Sequence, residues 1–121
     1  MKAVTQFIEY LESEKSSCLI RANNMTKDYR LDESNIEKIK ANVFGIFASV
    51  SRSAEERFPR NPDMFIQEKI DLIMKAWQES LSQTELSDNY TKTLVGHVKL
   101  DTLAIIDESF QRILGGSDHE H

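Results

Sequence analysis

Apolar residues return every three or four positions along almost the whole chain, which is the period of an α-helix with one buried face. The first such stripe runs through Val4, Phe7, Ile8, Leu11, Cys18, Leu19, Ala22, Met25 and Tyr29. Its polar interval, "ESEKSS" at 12–17, holds no apolar residue. The stripe resumes in phase beyond it, so one long helix from Lys2 to about Tyr29 is expected. Four glycines and two prolines are too few for a turn-rich β fold.

Punctuation divides the remainder into three more helices. In "RLDESNIEKI" Asp32 is placed to cap a helix, with Leu31 and Ile36 as a hydrophobic staple and Ser34 with Glu37 as a competing capping box. That helix is expected to stop at Phe58, because a residue preceding proline avoids the helical region. Asn61 and Pro62 then form a cap and first turn, and the third helix runs to about Ser82. The fourth is expected from about Asp88 to Leu114, stopped by Gly115 and Gly116. Four helices of similar length joined by short connections describe an all-α, up-down antiparallel four-helix bundle. Residues 1–114 are expected to form one helical-bundle domain and residues 115–121 a flexible C-terminal tail. A chain of 121 residues buries about two-thirds of its unfolded surface, enough for a core without metal or disulfide staples.

Gly45 stands in the most apolar segment, "KANVFGIFASV", where a glycine costs about 1 kcal/mol against alanine. At 100° per residue, Ile36, Ile39, Val43, Ile46, Phe47, Val50 and Ala54 form a stripe centred on Val43. Ala41, Gly45 and Ala48 fall opposite it. Small residues at this spacing let a second backbone approach closely. On the third helix Ile66, Ile70, Ile73, Met74, Trp77 and Leu81 form the core stripe, with Phe65 and Leu72 behind it. Ala41, Gly45, Ala48, Phe65 and Leu72 are therefore the expected interface, most simply of a homodimer.

Catalytic and metal-binding patterns are absent from the sequence. Carboxylate-bridged di-metal bundles need Glu-x-x-His pairs, and Leu94 stands three residues before His97. His97 lies opposite the helix-four stripe of Val95, Val98, Ile106, Phe110 and Ile113, as a solvated residue. His119 and His121 lie in the tail, where no geometry is preorganised. Cys18, the one cysteine, falls on a buried line and reads as a core residue. Arg52, Arg57 and Arg60, interleaved with Glu55 and Glu56, read as solvated surface. No phosphate-binding glycine loop, zinc spacing or nucleophile elbow occurs. No catalytic residue, metal or cofactor is expected, and no family motif is recognisable.

Two charged residues interrupt the stripes. Lys99 falls inside the helix-four stripe, beside Thr102, and Glu14 flanks the line from Leu11 to Cys18. With the first and fourth helices as antiparallel neighbours, Glu14 comes within reach of Lys99, and a buried Glu14–Lys99 pair is expected. The net charge of −5 argues against nucleic acid as a partner. A lone cysteine and the absence of a leader or long apolar run point to the cytoplasm, away from membranes. These features favour a non-catalytic helical protein that acts through contacts with a protein partner or itself, as regulator, adaptor or subunit. Two alternatives are an acidic antagonist or immunity-type protein for a basic partner, and a small-ligand carrier or enzyme with an interhelical cavity.

Overall fold

The computed structural model describes residues 2–115. They form four helices: α1 (Lys2–Lys27), α2 (Leu31–Arg57), α3 (Pro62–Leu86) and α4 (Tyr90–Ile113). Among the described residues there is no strand, and the helices pack as an up-down four-helix bundle. α1 continues through "ESEKSS" without a break. Glu14 and Lys15 are only half-exposed there, and α2 shelters the line they flank. The expected tail residues 116–121, with His119 and His121, lie outside the described residues.

Two of the three connections reverse the chain at a single residue. Tyr29 and Asp88 adopt left-handed φ angles of 59° and 58°. Arg30 N–H then closes on the Met25 carbonyl at 2.8 Å, which terminates α1 in a Schellman-type turn. Tyr29 is thus an exposed turn residue instead of a member of the stripe. The early reversal also starts α2 at Leu31, with Arg30 as its uncapped N-terminal flank. Asp32 therefore lies inside the first turn and is no cap, where its charge still favours the helix N-terminus. Leu31 is exposed, so no staple forms. Ser34 instead donates from its hydroxyl to the Ala22 carbonyl at 2.8 Å and meets the Thr26 hydroxyl at 2.7 Å, joining α2 to the end of α1. Asn89 caps α4 by accepting from Lys92 N–H at 3.1 Å. Pro62 opens α3 as expected.

α2 is buried around about half of its circumference, in one arc that runs from Val43 through Ser51 and Phe44 to Ala41. Val43, Phe47 and Ala54 are at most 1% exposed, and so is Ala48. Ala41 is 2% exposed. These residues stand at the two ends of that arc at 100° per residue. The Ala41-Gly45-Ala48 strip therefore belongs to the α1–α2 contact inside one chain, and the expectation of a free homodimer face there is overturned. An ideal Cβ built on Gly45 would stand 3.4–3.6 Å from the side chain of Lys15 in α1. The Lys15 side chain thus lies across α2 at Gly45, at a distance that a Cβ would meet in ordinary contact. The expected partners of the strip lie apart from it, on α3. Phe65 is half-buried, stacked on Phe58 with centroids 4.9 Å apart and covered by the Lys69 ammonium. Leu72 is exposed. Ile46, expected in the core, is 42% exposed because the buried arc of α2 runs from Val43 through Phe44 to Ala41, away from it.

The large fully buried side chains concentrate at the end of the bundle where α1 and α3 begin and α2 and α4 finish. Phe7 and Phe110 meet edge to face there, with centroids 5.4 Å apart. Around them pack Leu11, Phe47, Ile66, Ile70, Leu103 and Ile106, each stabilising by about 1.5–3 kcal/mol relative to exposure. The other end is thinner. On α3 no residue between Ile70 and Leu81 is fully buried, and on α4 none precedes Thr102.

Two substitutions probe this packing. Gly45→Ala adds a methyl at ordinary contact distance from Lys15 and recovers helix propensity of about 0.5–1 kcal/mol. A rise in Tm is expected in a thermal melt, and a fall would show that the Lys15 crossing needs the glycine. Ser51 is fully buried and its hydroxyl has no hydrogen-bond partner among the described residues. Ser51→Ala removes an uncompensated polar group and is expected to stabilise by about 1 kcal/mol. Its Tm should rise by a few degrees.

Candidate functional site: an apolar groove between α3 and α4

The core-facing stripes of α3 and α4 run on past the end of the core. At 100° per residue, Trp77, Ser80, Leu81 and Thr84 continue the face that carries Ile66 and Ile70. Thr91, Lys92, Val95, Gly96 and Lys99 continue the face that carries Leu103 and Ile106. Beyond the core these stripes line an open groove of about 250 Å³. Its base is a close approach of the two helices at Gly96, where an ideal Cβ would stand 2.8 Å from Leu81 Cδ1. Trp77 is half-exposed, so its place on the stripe does not make it a fully buried core residue.

Lys99 leans over the ring of Trp77, with its ammonium 4.5 Å from the ring centroid. A cation over an indole face gains about 0.5–1 kcal/mol at an exposed site. The expected Glu14–Lys99 pair does not form. α1 and α4 meet closely at the Phe7–Phe110 end, and Arg112 covers the Tyr10 ring there. Farther along, Lys99 finds its partner on α3. Lys92 and Lys99 have no carboxylate partner among the described residues. Apart from these two lysines, the groove lining is apolar, glycine or hydroxyl-bearing; it contains no Asp, Glu, His or Cys.

The buried charge of the bundle lies elsewhere, between α1 and α2. Glu37 is 7% exposed. Its carboxylate accepts from Arg21 Nε at 3.2 Å and from Lys40 Nζ at 3.4 Å. Arg21 also donates to the Cys18 sulfur at 3.3 Å. Burial alone would raise the Glu37 carboxyl. The charges of Lys40 and Arg21, with hydrogen bonds from the Cys18 thiol and Arg21, outweigh it and hold the carboxyl below its ordinary value. Burial raises the Cys18 thiol, and the Glu37 carboxylate raises it further. A buried, protonated thiol is a poor nucleophile, so Cys18 serves packing, as its place on the stripe suggests. His97 is exposed. Arg52 reaches Glu12 at 2.7 Å, on the surface between α2 and α1. Among the described residues no group of His, Cys, Asp and Glu has the arrangement to hold a metal ion. No described helix is long and apolar enough to cross a membrane.

No protein-family model matches the chain, and no curated protein or solved structure shows significant similarity to it.

Sequence reasoning placed Glu37 in a capping box and left Arg21 unassigned. The signal available was Glu37 at the same angular position as Ser34 and Ala41, on the small-residue face. Lys92 and Gly96 were also missed, although Gly96 is a glycine inside a helix and marks a close approach.

Glu37 carries a pH-dependent part of the stability. A carboxyl lowered on folding contributes fully above its ordinary value of 4.5, and the contribution is lost as pH falls below that value towards the folded-state one. Glu37→Gln is expected to lower Tm by several degrees at pH 7, with the gap to wild type closing as pH falls below about 4.5. An equal gap at pH 7 and pH 3 would mean that the loss is one of packing.

Proposed function

We propose that the protein is a non-catalytic interaction module that holds a segment of a protein partner in the α3–α4 groove. The observation that carries this reading is the unfilled continuation of two core stripes into an accessible apolar channel. Amphipathic helices seat their apolar faces in such channels. The groove is smaller than the roughly 300–1,000 Å³ of usual small-molecule pockets and open along its length. That favours a few side chains of a partner over an enclosed ligand. The lining holds no His, Asp, Glu or Cys, which supports a binding role over a catalytic one. The acidic-antagonist alternative is weakened by the same lining, whose only charges are positive. A cytoplasmic setting fits the single, buried thiol.

Site-directed crosslinking tests the proposal. A photoreactive amino acid at Ser80, in the groove, is compared with one at Asn42, on the exposed side of α2. One discrete protein adduct is expected from Ser80, absent from Asn42 and lost in the Val95→Glu background. Identical adduct patterns from the two positions would refute the reading. A small molecule retained on the purified chain in native mass spectrometry, and lost with Val95→Glu, would replace it with the carrier alternative.

A further inference from the structure

Lys92 and Lys99 stand seven residues apart on α4, two helical turns, or about 10.5 Å of axial rise. Both project on the groove side of the helix, and neither is neutralised by a described carboxylate. Trp77, which lies under Lys99, and Leu81, which meets Gly96, form the floor between them with Val95. The order along the channel is thus a cation, a floor of Leu81, Val95 and Gly96 edged by the hydroxyls of Ser80 and Thr84, and a second cation over the indole. The whole chain carries a net charge of −5, whereas the groove lining carries two lysines and no carboxylate.

Resting on the groove reading above, we infer that the groove selects an acidic amphipathic helix, with carboxylates seven residues apart and apolar side chains at the third and fourth positions between them. Seven residues of the incoming helix span the same 10.5 Å as Lys92 to Lys99. The two intermediate apolar residues project on the same face and reach Trp77, Leu81 and Val95. Electrostatic complementarity sets register and disfavours basic or neutral helices, while the apolar contact supplies most of the affinity. Part of the Lys99 cation–π contact is exchanged for a carboxylate, so binding changes the environment of the indole. Trp77 is the one tryptophan of the chain, and its emission reports on this site alone.

The test titrates the purified chain with an 18-residue helical peptide containing Glu-Ala-Ala-Leu-Leu-Ala-Ala-Glu at its centre, following Trp77 fluorescence in low salt. Saturable binding is expected. The same peptide with both Glu replaced by Gln should bind about five-fold more weakly, a preference that 0.5 M NaCl abolishes. Lys92→Gln, which leaves the indole and its lysine untouched, should weaken the Glu peptide two- to three-fold and leave the Gln peptide unchanged. Val95→Glu, checked for an intact melting transition, should abolish binding of both. Equal affinities for the Glu and Gln peptides would overturn the charge selection and leave the groove reading standing. Failure of the Glu peptide to bind overturns the inference, while crosslinking from Ser80 judges the groove reading independently. A dimer in sedimentation that Val95→Glu dissociates, or a decanoate titration as tight as the peptide's, would assign the groove to a second copy or a small amphiphile and overturn it as well.

Discussion

The bundle depends on α2 being buried around about half of its circumference, from the Val43 stripe through Phe44 and Ser51 to Ala41. A helix with a single apolar stripe docks against one neighbour surface and leaves its back to water. Here the back of the Val43–Phe47–Ala54 stripe is Ala41, Gly45 and Ala48, and these small residues are what α1 covers. Their lack of bulk brings the two helices together, so that the stem of Lys15 lies across Gly45 and Ser34 reaches the last turn of α1. α2 is then committed to α1 on one side and to the α3–α4 hairpin on the other.

This commitment shapes the far end of the molecule. There α1 and α2 present Cys18, Ala22, Ser34, Glu37 and Ala41 to one another, side chains that close a narrow contact and add little volume elsewhere. The Arg21–Glu37–Lys40 ion group occupies the same region. Ion pairs of this kind gain little net stability after desolvation, but removing one partner leaves a buried charge uncompensated. α1 and α2 hold each other, and α3 and α4 hold each other at Gly96 and Leu81. The inward stripes of the second hairpin outrun the core meant to cover them, and the groove is the remainder.

The groove and the ion group divide the charges of the bundle by task. Glu37, deep in the α1–α2 contact, has its positive partners supplied by the fold. Lys92 and Lys99 have none among carboxylates of the described residues, and one of them rests on an aromatic face. A cation on an indole keeps most of its capacity to attract an anion, because the ring quadrupole contributes less than a full charge would. An apolar channel flanked by such cations is suited to binding.

How far the sequence determined this protein follows from the range of the interactions involved. The helices, their continuity through residues 12–17, the proline start of α3 and the antiparallel order are set by period, capping and loop length, which act within a few residues. The core positions of Phe7, Cys18, Ile66, Ile70 and Phe110 follow from the same stripes. Which neighbour each stripe meets is a different matter, since it depends on residues from four helices at once. An alanine-glycine strip reads the same whether it faces a second chain or the preceding helix, and only packing assigned it to α1. A lysine inside an apolar stripe signals a need for compensation, but not whether Glu14 or the Trp77 ring provides it. Trp77, Leu81 and Val95 carry the same pattern as the residues below them. Whether they close a core or line a groove was decided by how much volume the opposite hairpin brought to that level, a property of the assembled tertiary structure.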